Sequence, residues 1–170
     1  HSYTFDIHHY FLEFLTAQKS AIFNKDKSKR FLLTRSWHYN DESRSCVFIM
    51  MNPSIADSKT DDPTVKKCIY YSNKFGYNRL SIVNIFPNVS TVPRINEFSF
   101  CKNNFHFIKD ILKENKYIYL AWGFNLEIKE WLKPLLKNKI VFALEMSKKN
   151  TPKHPLYLKK EINPLRLSLT

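Results

Sequence analysis

At residues 47–51 the sequence runs Val-Phe-Ile-Met-Met, then breaks at Asn52-Pro53-Ser54 with Asp57, Asp61 and Asp62 close behind. An amide and three carboxylates placed directly after an apolar run suit a site built at the end of a buried strand. A second amide, Asn84, stands alone in Leu80-Ser81-Ile82-Val83-Asn84-Ile85-Phe86. An amide offers a donor and an acceptor side by side, the pattern needed to read the edge of a nucleobase. It can equally be a buried polar group bonded to backbone. Trp122-Gly123 and Asn125 form a third group, and Lys148-Lys149-Asn150-Thr151-Pro152-Lys153 leads into His154-Pro155-Leu156-Tyr157-Leu158. Each has a plain structural reading as well. Asp62 is a good helix cap, and Asp57 and Asp61 complement a helix N-terminus. The prolines fix loop geometry, His154 reads as an exposed imidazole, and Trp122 reads as core.

The elements that must position these groups follow from the apolar pattern. Residues 5–23 show loose helical spacing and predict an N-terminal helix, followed by a basic connection at 25–30. Residues 30–37 and 45–51 read as two strands joined by the turn-forming cluster Asn40-Asp41-Glu42-Ser43, an antiparallel hairpin. Asp62 as N-cap, Pro63 at the first helical position and Gly76 just past the end mark a helix. Val65, Cys68, Ile69, Ser72 and Phe75 share its apolar face, with Lys66, Lys67 and Lys74 elsewhere. Strands are expected at 80–86, 117–122 and 139–144, and helices at 104–112 and 126–136. Strands alternating with helices predict a parallel sheet covered on both faces, a three-layer α/β/α sandwich. In such sheets the binding crevice lies outside the carboxyl ends of the strands. The segments after Met51, near Phe86, after Trp122 and after Leu144 should therefore share one rim.

Composition bounds the function. The chain has 170 residues, 44% of them hydrophobic, which fits a single domain over 1–170 with its core at 30–158. Net charge is +12 and the pI is about 9.6, an excess that attracts polyanions through counterion release. No apolar run reaches the length of a membrane span. The first residues lack the basic–apolar–small order of a signal peptide, and the chain opens on His1-Ser2. Cys46, Cys68 and Cys101 have no metal-ligand spacing and read as reduced thiols of a cytoplasmic protein. His8, His9, His38, His106 and His154 are scattered without tetrahedral ligand spacing, so no metal is expected. No phosphate-binding or dinucleotide fingerprint occurs, and no cofactor is implied.

Several of these stretches, taken in order, resemble one family. Met51-Asn52-Pro53-Ser54-x-Ala56-Asp57, Asp61-Asp62-Pro63-Thr64, Gly76-Tyr77, Val83-Asn84-x-Phe86, Ala121-Trp122-Gly123 and His154-Pro155-Leu156-Tyr157-Leu158 resemble a bacterial and phage family catalogued as domain of unknown function 1643. A more distant similarity is to the uracil-DNA glycosylase superfamily, which implies that superfamily's α/β sandwich. Its members place a water-positioning Asp or Asn after the first strand, within Asn-Pro-Gly in the mismatch-specific branch. A base-reading Asn ends a following strand, and a late His-Pro-Ser loop completes the site. Asn52-Pro53-Ser54, Asn84 and His154-Pro155-Leu156 fall in that order here. The chain departs from the pattern at Leu156, where the superfamily has serine, and at Lys149-Asn150-Thr151, where it has a glycine-containing turn.

The resemblance implies hydrolysis of an N-glycosidic bond in DNA. Asn52 would position the water, with Asp57 or Asp61 supplying a base that an amide cannot be. His154 would stabilise charge on the departing base. Asn84 would read the base beside Pro53, Ser54 and Gly123, with Phe86 or Trp122 stacking on it. Leu156, Tyr157 or Leu158 would wedge into the vacated stack. Lys148, Lys149 and Lys153 would hold the backbone of DNA rather than RNA. The protein is taken as a monomer. A non-catalytic nucleotide- or DNA-binding module, or a hydrolase of small nucleosides or nucleotides, remains as the alternative.

Overall fold

The computed structural model describes residues 19–37 and 43–169. Its spine is a seven-stranded sheet: β1 (Lys19–Phe23), β2 (Arg30–Ser36), β3 (Ser45–Met50), β4 (Arg79–Asn84), β5 (Tyr117–Leu120), β6 (Ile140–Ala143) and β7 (Leu165–Arg166). The strand order is β1-β2-β4-β3-β5-β6-β7. The central four, β4, β3, β5 and β6, run parallel, as the alternation of strands and helices predicts. Antiparallel strands extend both ends.

The pleat sorts the apolar residues. In β3, Val47 and Ile49 face one side, while Cys46, Phe48 and Met50 face the other, because successive side chains of a strand point to opposite faces. Helix α1 (Pro63–Lys74) packs Val65, Cys68 and Tyr71 on the Phe48 side. Helix α2 (Lys102–Lys113) packs Ile108 and Leu112 on the Val47 side. The result is a mixed α/β fold whose central sheet carries helices on both faces. Among the described residues, no helix is long and apolar enough to cross a membrane.

Helix α1 begins as its sequence dictates. Asp62 accepts from the Val65 N–H at 2.8 Å, Pro63 opens the first turn, and Gly76 follows the last turn with φ +90°. That left-handed angle is one glycine adopts without a Cβ penalty.

Three expectations need correcting. The hairpin is formed by β1 and β2, paired from Lys19↔Arg35 to Phe23↔Arg30. β2 does not pair with β3, because β4 lies between them. The N-terminal helix at 5–23 is overturned over its last five residues, which form β1; the remainder, with His8, His9 and the turn at Asn40, lies outside the described residues. The helix at 126–136 is absent, and only the 3₁₀ turn Lys133–Leu136 remains. Pro134 has no N–H to bond a carbonyl one turn earlier, and the Leu126 carbonyl is taken by Trp122 Nε1 at 2.7 Å.

Candidate functional site

A cavity of about 460 Å³ opens where the parallel strands β3 and β4 end. That size falls within the range of small-molecule sites. Its wall is assembled from the segment after β3, the end of β4, the N-terminus of α1, the start of β2 and the late His154 loop. Because β2 runs antiparallel to β4, the first residue of β2 reaches the rim where the parallel strands finish.

Asn52 is fixed from one side. Its Nδ2 donates to the carbonyls of Pro53 (3.0 Å), Ser90 (3.0 Å) and Asn88 (3.2 Å). The loop after β4 is thereby tied to the loop after β3, and the Ser90 N–H returns a bond to the Pro53 carbonyl at 2.9 Å. This spends the donors of Asn52, and its Oδ1, in a cavity-lining residue, accepts no hydrogen bond from the described residues.

Asn84 ends β4 and is 1% exposed. Asn104 of α2 donates to the Asn84 backbone carbonyl at 2.7 Å, which secures the strand end from behind. The Asn84 Oδ1 faces Arg30 Nη2 at 3.5 Å, and its Nδ2 has no partner. Arg30 Nη1 donates to the Ala56 carbonyl at 3.0 Å. Burial pushes the Arg30 guanidinium down to about 10, against the nearby Asp62 charge that works to raise it, so it stays a cation at neutral pH.

His154 approaches from the far side of the sequence. Its Nδ1 accepts from the Leu156 N–H at 3.2 Å, which selects the neutral tautomer carrying its proton on Nε2. Burial lowers the imidazole pKa below its ordinary value, and Asp62 partly offsets this. Gly123 backs His154 directly, since a Cβ there would sit 2.9 Å from His154 Cβ. Gly123, Phe124 and Asn125 all have positive φ (73°, 60° and 51°). Two non-glycine residues in the left-handed region store about 1–2 kcal/mol each, and the turn presents the half-exposed Phe124 ring to the cavity.

The other expected residues divide. Ser54, Leu156 and Tyr157 line the cavity with Asn52, Asn84 and His154. Pro53 is buried behind Asn52. Asp57 does not line it: its carboxylate accepts from the Lys59 and Thr60 N–H groups, which hold its pKa below the usual range. Asp61 lies outside as well. Burial works against its charge, yet the bonds from Arg35 and Lys19 outweigh this and keep its pKa low. Neither Phe86 nor Trp122 faces the cavity. Trp122 is 0% exposed, and Phe86 packs against Phe98 within the core. Lys148 and Lys149 are exposed on the tight Ser147–Thr151 turn, while Lys153 is paired with Glu145.

Sequence reading missed Arg30, the cavity-facing position of Asp62, and Phe124. Arg30 looked like an ordinary strand start, and only the antiparallel course of β2 brings it to the rim. Among the described residues, Asp62 is the one carboxylate lining the cavity, and there is no cluster of three or more His, Cys, Asp or Glu able to hold a metal.

No curated protein and no solved structure matches the chain. The model of the family described as Protein of unknown function (DUF1643) matches residues 30–156, well over half of the sequence, and the chain belongs to that family.

Proposed function

We propose that the cavity receives a nucleobase turned out of DNA and that the protein hydrolyses its N-glycosidic bond, in the manner of the uracil-DNA glycosylases it distantly resembles. The observation that carries this reading is the convergence of Asn52, Asn84 and His154 on one cavity from three separate segments. The net charge of +12 suits a polyanionic partner.

The chemistry distributes over these residues. Asn52 Oδ1 holds the attacking water, whose oxygen bonds to C1′ while the C1′–N bond breaks and its electron pair leaves on the base. The water gives up a proton to Asp62, the carboxylate at hand. His154 Nε2–H bonds the oxygen on which charge develops, stabilising the departing anion without needing to be an imidazolium. Phe124 and Tyr157 offer the aromatic faces on which a base stacks.

A second reading is a binding module that holds a nucleotide without chemistry. It is favoured by the engagement of Asp57 and Asp61 in structural bonds and by the helix-capping bond of Asp62. Incubation with oligonucleotides carrying uracil, mismatches or modified bases, followed by alkali, separates the two. Strand breaks support the hydrolase; tight binding without breaks supports the module. Absence of DNA binding at low salt would sink the hydrolase and leave the module only as a holder of free nucleotides.

A further inference from the structure

Two arginines are equally buried, each 2% exposed, and they differ in what surrounds them. Arg35 is fully engaged. It pairs with Asp61 at 2.7 Å and donates to the carbonyls of Thr34, Asp57 and Thr60. Arg30 has one good bond, to the Ala56 carbonyl, and one long contact to Asn84 Oδ1. Its Nε has no partner, and among the described residues no carboxylate forms an ion pair with it. Asp62 acts on it only through space.

Beside it, Asn84 Nδ2 is a second buried donor without an acceptor. Arg30 also orients that amide: with Oδ1 turned toward the guanidinium, the donors of Asn84 are what remains for an occupant. Both residues line the cavity. A cation with no carboxylate paired to it among the described residues and an amide donor with no acceptor, both buried, form a floor suited to acceptors. A buried charge is costly until something of opposite sign pairs with it.

We infer that the cavity floor binds an oxyanion carried by the occupant, gripped by Arg30 together with Asn84 Nδ2. This rests on reading the cavity as a nucleotide site and narrows its ligands to those with a negatively charged group at the deep end. That oxyanion is either a nucleotide phosphate or an acidic substituent on the base itself. A guanidinium accepts both through paired N–H···O bonds.

Binding by calorimetry and thermal shift tests it with matched probes: thymidine 5′-monophosphate against thymidine, 5-carboxyuracil against uracil, and inorganic phosphate alone. The wild-type protein should bind a charged member of at least one pair about tenfold or more tighter than its neutral counterpart, the scale of one charge-assisted hydrogen bond. Which pair shows the preference identifies the source of the oxyanion. Arg30→Gln should abolish the preference. Asn84→Asp supplies a carboxylate beside Arg30, so it should remove oxyanion binding while raising the melting temperature of the unliganded protein, which keeps the test independent of any folding defect in Arg30→Gln. Equal affinity for charged and neutral members, an undiminished preference in either variant, or failure of all charged probes to bind at millimolar concentration would overturn the inference. Base excision from an uncharged-base oligonucleotide, unaltered in Arg30→Gln, would overturn it while leaving the proposed hydrolysis standing. Oxyanion binding with no excision from any oligonucleotide would support it and count against the hydrolase.

Discussion

Gly123 and His154 are in such close contact that a methyl group on Gly123 would lie 2.9 Å from His154 Cβ and 3.4 Å from its backbone nitrogen. The His154 loop is thus seated on the end of β5 by the absence of a side chain, and the Gly123 N–H bonds the Pro152 carbonyl at 3.1 Å. Gly123→Ala should push His154 away and also strain a backbone with φ +73°. A loss of about 1–3 kcal/mol is expected, read by urea denaturation, with base excision or ligand affinity falling in parallel. Unchanged stability and binding would mean that the loop is not held by this contact.

His154 gives the site a pH signature. Its pKa is lowered by burial, so between the folded and unfolded values only the unfolded chain takes up the proton. Stability from this group is therefore fully present above the unfolded value of about 6.5 and falls as pH drops below it, levelling off once the folded value is passed. Protonation would also place an N–H against the Leu156 N–H that Nδ1 now accepts. Thermal melts from pH 8 to 5 should show this acid-side fall, and His154→Asn should flatten it. A steep fall that persists in His154→Asn would assign the effect elsewhere.

Asp62 has two duties that substitution separates. Asp62→Ala loses the cap of α1 and should cost about 1 kcal/mol. Asparagine caps nearly as well, so Asp62→Asn should stay close to wild-type stability while removing the charge. Because that charge raises the pKa of His154, the His154 titration followed by NMR should move lower in Asp62→Asn. If Asp62 takes the proton from water, excision should drop at least about a hundredfold in the same variant. Full activity in Asp62→Asn would remove it from the chemistry.

Phe124 and Tyr157 test stability against function. Tyr157 is 90% exposed, so Tyr157→Ala should leave the melting temperature unchanged and weaken single-stranded oligonucleotide binding by about 1–3 kcal/mol. Phe124→Gly should raise stability by about 1 kcal/mol, since glycine adopts the left-handed angle without penalty, while binding falls. A Phe124→Gly variant that gains stability and keeps full binding would show that the ring serves no ligand.

The parallel centre of the sheet was legible because each of its strands is an apolar run followed by polar or helix-starting residues. Helix α1 was legible from Asp62, Pro63 and Gly76. The partner of β2 was not, since nothing in 30–37 distinguishes a neighbour next in sequence from one beyond a helix. At 126–136 the apolar spacing points to a helix, but Pro134 interrupts it and only a 3₁₀ turn forms. Among the cavity residues, Asn52 and Asn84 stand out in the sequence as amides in apolar surroundings, whereas His154 is signalled only by the resemblance of its His-Pro loop. Arg30 stayed hidden because a charged residue at a strand start is unremarkable until topology shows that it is buried. Asp57 and Asp61 misled for the opposite reason: acids before a helix look available until the N–H groups of Lys59 and Thr60, and the side chain of Arg35, are seen to occupy them.

The reversed course of β2 has a mechanical consequence. It brings Arg30, from the start of the family-matched span, to the same cavity as His154 and Leu156, from its end. An occupant touching both would act as a removable staple between early and late chain, and neither β2 nor the His154 loop could then peel away without first releasing it. Amide hydrogen exchange in these two distant stretches should slow together when the cavity fills, and by the same factor, because one opening event would serve both.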